Sequence, residues 1–142
     1  MSHSSRKMKL GVFFNTTGHH VASWRHPQSQ ADAGVNFKHH VEMAKTAERG
    51  CFAMIFLADN PAVREAAVDA ISRSAQYIAG FEPITLISAM AALTKNIGFV
   101  ATASTSYSEP YNVARMFASV DHISGGRCGW NIVTTGENAP AM

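Results

Sequence analysis

Charge, cysteine and long apolar runs are all scarce in this sequence of 142 residues. Asp, Glu, Lys and Arg make up 15% of it, against roughly 25% in typical domains. The formal net charge of +2 is too weak to indicate nucleic-acid binding, because the basic residues are scattered along the chain. No apolar run approaches the ~18 residues of a membrane span, and the polar start is not that of a secretory signal. We therefore expect a reduced, cytoplasmic protein with neither nucleic acid nor membrane as a partner.

Only two cysteines occur, and they do not form a CxxC pair. Cys51 and Cys128 are predicted to begin the second and fourth strands, with the third strand between them. Two strand spacings are roughly 10 Å, which exceeds the ~7 Å limit on the Cα separation in a disulfide. We therefore expect two free thiols. Glycine-rich dinucleotide-binding motifs and P-loop motifs are also absent, so a dinucleotide-binding protein and a P-loop protein both lose their main support.

Four continuous apolar runs alternate with helical patterns. Strands are predicted at residues 9–15, 52–58, 97–102 and 128–133. Helices are predicted at residues 37–49, ended by Gly50, at residues 62–79, from Pro83, and at residues 110–123 with Ser108 as the N-cap and Pro110 near N1. Continuous apolar strands separated by helices indicate an α/β fold with a parallel sheet and right-handed crossovers.

Polar tips follow each predicted strand, and ligands of parallel sheets bind at the carboxyl ends of strands. The tips comprise residues 15–20, 59–60, 104–107 and 134–135. Asn131 is a polar residue inside the fourth strand, and a buried amide needs partners. From the residues alone, a bond to a neighbouring loop and a bond to a ligand are equally open for Asn131.

Histidines are concentrated in a long polar loop at residues 16–32 and at the start of the next helix. Long loops in compact domains are usually functional. His19, His20 and His26 suggest zinc, but no carboxylate or thiolate completes a recognised spacing, so we expect no metal. His39 and His40 are predicted to be solvated.

A series of short motifs runs across nearly the whole chain. The motifs are Gly18-His19-His20, Trp24-Arg25-His26-Pro27, Ala47-Glu48-Arg49-Gly50, Phe56-Leu57-Ala58-Asp59, Phe81-Glu82-Pro83, residues 97–105, Glu109-Pro110-Tyr111-Asn112-Val113-Ala114-Arg115, and residues 119–135 around Ser124-Gly125-Gly126-Arg127. In type and order they resemble the amino-terminal half of flavin-dependent monooxygenases of the bacterial luciferase-like superfamily. The most similar branch is that of nitrilotriacetate and dibenzothiophene-sulfone monooxygenases.

The resemblance implies that residues 1–142 form one partial (βα)8-barrel domain, the first four βα units of a TIM barrel. It implies an FMN-dependent two-component monooxygenase, with reduced FMN supplied by a separate NAD(P)H:flavin reductase. Oxygen would be activated as a flavin C4a-peroxide, which attacks a carbon next to nitrogen or sulfur in a small organic substrate. The protein would orient the flavin and exclude water. The alternative is a non-catalytic half-barrel that only oligomerises or binds flavin weakly.

The resemblance also implies roles for particular residues. Asp59 matches an aspartate beside the flavin at the end of strand two; otherwise it would cap the turn that follows. Ser106, or Thr105 beside it, matches a hydroxyl that bonds the flavin ring. Asn131 matches an asparagine under the flavin. His19 and His20 fall near the substrate pocket, and no catalytic residue is assigned.

The chain departs from the family in its length. A TIM barrel needs eight βα units and ~250 residues, whereas four units are predicted here. We expect either a fragment that lacks a carboxy-terminal half or half-barrels that assemble as a homo-oligomer. The low charge content fits a half that packs against another half.

Overall fold

A computed structural model describes residues 7–20, 22–59, 69, 72–73 and 79–135. Its strands are β1 (Gly11–Phe13), β2 (Met54–Leu57), β3 (Gly98–Ser104) and β4 (Cys128–Val133). Its helices are α1 (Phe37–Arg49), α2 (Pro83–Ala92) and α3 (Pro110–Ser124), with 3-10 turns at Ser23–Arg25 and Ala33–Val35. Most of the helix predicted at residues 62–79 lies outside the described residues. None of the helices described is long and apolar enough to span a membrane.

The four strands form one parallel sheet in the order β1-β2-β3-β4. This confirms the predicted α/β architecture and strand order. Cys51 and Cys128 are both free, as predicted. The register places Phe13 opposite Phe56 and, two strands further on, Thr102 opposite Asn131.

The two faces of the sheet differ in what covers them. One face packs against the helices and carries the core, with Ile55, Phe99 and Ala101 at most 1% exposed. Successive side chains alternate between faces, so the register assigns Phe13, Phe56, Val100, Thr102 and Asn131 to the other face, called here the inner face. In a closed barrel this face would point to the barrel interior.

Helix ends mostly follow the predicted chemistry. Glu82 caps α2 by accepting hydrogen bonds from the backbone N–H groups of Ile84 and Thr85, both at 2.8 Å, and Pro83 occupies the first turn. α3 ends at Gly125 and Gly126, whose φ angles of 67° and 82° suit residues without a side chain.

One expectation about helix ends is wrong. The N-cap of α3 is Glu109, which makes no side-chain capping bond, rather than Ser108. Pro110 at the first helical position lacks an N–H and so removes one donor that a cap would satisfy. Gly50 ends α1 as predicted, with φ of −75°, and the residue with the left-handed conformation is Cys51, with φ of 57°.

His40 was predicted to be solvated, and this is also wrong. It is 3% exposed, with its ring 5.5 Å from that of Phe81 and its Nδ1 3.0 Å from the carbonyl oxygen of Asn36. His40, Ala44 and Ala47 share one face of α1, which packs inward. Burial lowers the pKa of His40 below its ordinary value.

The amino edge of the sheet is held by two charged side chains. Glu48 Oε1 accepts hydrogen bonds from the backbone N–H groups of residues 95, 96 and 97 at 2.8, 2.6 and 3.1 Å. These bonds, first the one from Asn96, lower the pKa of Glu48. Arg127 donates to the carbonyl oxygens of Ser124, Ile97 and Ala91 at 2.7, 2.7 and 2.8 Å. Structural anchoring is thus found at the edge opposite the polar tips.

Candidate functional site

Three of the predicted site residues lie at or near the carboxyl edge of the sheet. Asp59 lies two residues beyond the end of β2, and Ser106 lies two residues beyond the end of β3. Asn131 lies in β4, two residues before its end. Because the strands are parallel, these ends share one edge. Asp59 and Ser106 are exposed, and Asn131 is partly buried.

The side-chain amide of Asn131 has one fixed end and one available end. Its Nδ2 donates to Thr102 Oγ1 at 3.0 Å, and Thr102 is only 3% exposed. The partner is therefore the neighbouring strand and not a loop. Within the described part of the chain, Asn131 Oδ1 accepts no hydrogen bond. An oriented amide oxygen on the inner face suits a ligand N–H donor.

Hydroxyl groups tie the tips of β3 and β4 together. Thr105 donates from its N–H and its Oγ1 to the carbonyl oxygen of Val133, at 2.9 and 3.2 Å. Ser106 Oγ accepts from the N–H of Thr135 at 3.0 Å. The hydroxyl proton of Thr105 is thus used within the protein, whereas that of Ser106 is not donated to any described residue and remains available. Of the two alternatives left open by the sequence, Ser106 is the better donor to a ligand.

Aromatic rings form an apolar floor beside these polar groups. The Phe13 and Phe56 ring centroids are 5.2 Å apart, and the His19 ring lies 5.2 Å from Phe13 in an edge-to-face arrangement. Phe13 is 44% exposed. His19 therefore lies on the inner face, the same face that carries Asn131. Opposite Val100 in the register, Gly129 has no side chain, and a Cβ there would lie 3.2 Å from Val100 Cγ2.

The loop after β1 folds through its own polar groups. The Nδ1 atom of His20 accepts from the N–H of Ala22 at 3.1 Å, and Ser23 Oγ donates to the carbonyl oxygen of Gly18 at 3.1 Å. Gly18 has φ of 99°, which few other residues adopt. Unlike His19, His20 makes no contact with the aromatic floor. In the described ranges, His, Cys, Asp and Glu form no group of three that could hold a metal ion.

Sequence reasoning missed two parts of this site. The residues of the aromatic floor were predicted only to lie in buried strands. Pairing Phe13 with Phe56 in register would have placed both side chains on one face. Thr17 was not singled out at all. It is 6% exposed, and its Oγ1 has no hydrogen-bond partner in the portion that the structure describes. No signal in the sequence distinguishes it from Thr16.

Comparison with known proteins identifies relatives along the whole chain. The model of the luciferase-like monooxygenase family matches residues 8–141. N-acetyl-S-(2-succino)cysteine monooxygenase of Bacillus subtilis (strain 168) is 50% identical over all of this chain and 31% of its own length. Nitrilotriacetate monooxygenase component A of Aminobacter aminovorans is 41% identical over 97% of this chain and 32% of its own.

A solved structure gives the same result. EDTA monooxygenase from Chelativorans sp. BNC1 superposes with a TM-score of 0.82 at 35% identity, over 94% of this chain and 31% of its own. The chain thus spans about a third of the length of the relatives it matches. The described strands and helices correspond to a third of a TIM-barrel monooxygenase.

Proposed function

Since the chain belongs to the luciferase-like monooxygenase family, we propose that it contributes the flavin site of an FMN-dependent two-component monooxygenase. A separate NAD(P)H:flavin reductase would supply the reduced FMN. The arrangement that carries the proposal is the Asn131–Thr102 pair beside the Phe13–Phe56 floor, with Ser106 at the same edge. The family match over residues 8–141 does not favour the alternative, a half-barrel that only oligomerises or binds flavin weakly.

The groups present fit an isoalloxazine ring. Such a ring is flat and largely apolar, and one edge carries an N–H between two carbonyl groups. Asn131 Oδ1 would accept from that N–H, and the Ser106 hydroxyl would donate to a neighbouring carbonyl. Asp59 lies at the same edge, as the resemblance implies, while Thr105 supports Ser106 by tying the two strand tips.

Bound reduced FMN would supply oxygen activation, through the C4a-peroxide that the family resemblance implies. The residues of this chain would orient the flavin and exclude water. The aromatic floor excludes water from one side of the ring, and the Asn131 amide, held by Thr102, sets the ring's orientation.

The substrate is proposed to be a small organic molecule with a C–N or C–S bond. The relatives described above are named for N-acetyl-S-(2-succino)cysteine, nitrilotriacetate and EDTA. All three compounds carry several carboxylates as well as sulfur or nitrogen. We extend this class to the present chain.

Titration of the purified chain with FMN, oxidised and chemically reduced under anaerobic conditions, tests the proposal. We expect saturable binding that Asn131→Leu weakens about tenfold, because a fixed acceptor is lost and a bulkier apolar group replaces it. Ile132→Val is the matched control, since Ile132 is 63% exposed and belongs to the opposite face of β4. A folded chain that binds FMN in neither redox state, or binds it equally well with Leu at position 131, would overturn the proposal.

A further inference from the structure

The segment after β1 has an unusual balance of ionisable groups. Residues 15–31, called here the β1 loop, contain Arg25 and three histidines but no aspartate or glutamate. The nearest acidic residue along the chain is Asp32, whose two carboxylate oxygens accept hydrogen bonds from Asn36 Nδ2 at 3.2 and 3.1 Å. Because β1 is parallel to the other strands, this loop starts at the edge that carries the candidate flavin site.

Two histidines of the β1 loop present N–H donors whatever their charge. Nδ1 of His20 accepts from the N–H of Ala22, and Nδ1 of His26 accepts from the N–H of Gln28 at 3.2 Å. A nitrogen that accepts a hydrogen bond carries no proton, so in the neutral ring the proton must be on Nε2. Both side chains are exposed. The loop therefore fixes two outward N–H donors.

Arg25 supplies a permanent positive charge in the same loop. Its guanidinium lies over the Trp24 ring, 5.9 Å from the centroid. Stacking of this kind leaves the N–H edges of the guanidinium open to a planar anion. Across the described residues, Arg25 has no acidic partner.

Thr17 adds a polar group that has no partner within the fold. Its Oγ1 is buried and unpaired, while the adjacent backbone is fixed by the Gly18 N–H to Asn15 O bond at 2.8 Å. A buried hydroxyl without a partner is destabilising, and such groups in native proteins call for an explanation. A ligand oxygen would satisfy it.

We propose that the β1 loop is the carboxylate-binding part of the substrate site, and that it selects aliphatic di- and tricarboxylates. Arg25 provides the charge, and His20 and His26 provide N–H donors at Nε2. Thr17 donates its hydroxyl proton to a carboxylate oxygen. His19, against Phe13 on the inner face, links the loop to the floor where the flavin would lie. The inference deepens the proposed function, because it rests on that function for the reaction, but the binding event itself needs no flavin.

Flavin-free calorimetry and amide NMR on the full chain test this inference, with propane-1,2,3-tricarboxylate as the probe. Its trimethyl ester is the neutral control of nearly the same shape. We expect saturable binding of the tricarboxylate, weakened by added salt, with chemical-shift changes concentrated in residues 15–31. The ester should not bind. Equal binding of the ester, or shift changes confined to other parts of the chain, would overturn the inference.

Two variants separate recognition from folding. Thr17→Val removes only the unpaired hydroxyl, so its melting temperature should stay the same or rise while tricarboxylate affinity falls about tenfold. Arg25→Gln should weaken binding of the tricarboxylate to a similar degree. Arg115→Gln is the matched control, because Arg115 also lies over an aromatic ring, Tyr111 at 5.7 Å, but on α3. Unchanged affinity in the first two variants would refute the assignment.

The two proposals fail separately. Loss of FMN binding with tricarboxylate binding intact would remove the proposed function and leave an anion-binding loop. FMN binding without tricarboxylate binding would leave the flavin site and remove the inference about substrate class.

Discussion

His40 is a residue whose chemistry the fold changes. Its ring lies between α1 and the chain around Phe81, with a hydrogen bond from Nδ1 to the carbonyl oxygen of Asn36. Burial favours the neutral ring and lowers the pKa; the Asn36 bond opposes this shift, and the charge of His39 adds to it. The unfolded chain regains the ordinary value of 6.5.

The lowered pKa of His40 predicts a loss of stability in acid. Above pH 6.5 the ring is neutral in both states and contributes nothing to the pH dependence. As the pH falls below 6.5 the unfolded state takes up the proton first, so the free energy of unfolding decreases until the folded-state pKa is reached. Urea denaturation at pH 7 and pH 5 measures this change. His40→Asn should show a smaller decrease, and His122→Asn, an exposed control, should behave as the wild type does.

Part of the candidate site could be predicted from residue identity alone. Asn131 stood out because an amide inside an apolar strand needs partners, and the structure gives it one on the next strand. Ser106 and Thr105 could not be separated by sequence, because the difference depends on which hydroxyl donates to Val133 and which accepts from Thr135. Such a choice is set by the backbone geometry of two strand tips.

Among the elements, the turn between α2 and β3 is held by tertiary contacts from both sides. Arg127 reaches it from the turn before β4 and bonds the carbonyl oxygens of Ala91 and Ile97, while its guanidinium lies 5.8 Å from the centre of the Phe99 ring. From the other side Glu48 accepts three backbone N–H groups. One charged side chain thus satisfies the carbonyl groups of the turn, and the other satisfies its N–H groups.

Arg127→Lys should therefore destabilise the protein by about 2 kcal/mol, because an ammonium cannot reproduce the fork of donors and leaves at least one carbonyl group unsatisfied. Urea denaturation at pH 7 gives the difference in unfolding free energy. Arg115→Lys on the exposed face of α3 should change it by less than about 0.5 kcal/mol. If both substitutions had the same small effect, the Arg127 contacts would not contribute to stability.

Element boundaries were predictable wherever a local signal ended them. The bounds of α1 and β4 agree with the prediction. The spacing of apolar residues marks α1, and the glycine pair before Arg127 marks the start of β4. β1 is shorter than predicted, at three residues. The carbonyl oxygen of Leu10 still accepts a hydrogen bond from the N–H of Ala53 at 2.8 Å, but the paired register covers only Gly11–Phe13. Pairing between strands, which is not local, decides where a strand ends.

At the scale of the molecule, the strand order within the described residues leaves two open edges and one face of the sheet without a covering helix. Among the strands that the structure describes, β1 pairs only with β2, and β4 pairs only with β3. Large apolar side chains remain exposed on the strands or beside them, including Leu10 at 50%, Phe13 at 44%, Met54 at 40% and Ile132 at 63%. Open edges of this kind pair with other chains, and soluble monomers rarely expose so much contiguous apolar surface.

We therefore predict that the 142-residue chain does not persist as a stable monomer. Two copies related by a two-fold axis would pair β1 of each copy with β4 of the other, which closes both edges at once and encloses both inner faces. Light scattering at micromolar concentration should give twice the mass of the chain, and the melting temperature should rise with protein concentration. Ile132→Lys, on the outer face beside the β4 edge, should weaken the dimer, whereas Tyr111→Lys, 72% exposed on α3, should leave it unchanged. A monomer with a cooperative, concentration-independent melt would contradict this prediction, because then the exposed floor and both edges would be tolerated in water.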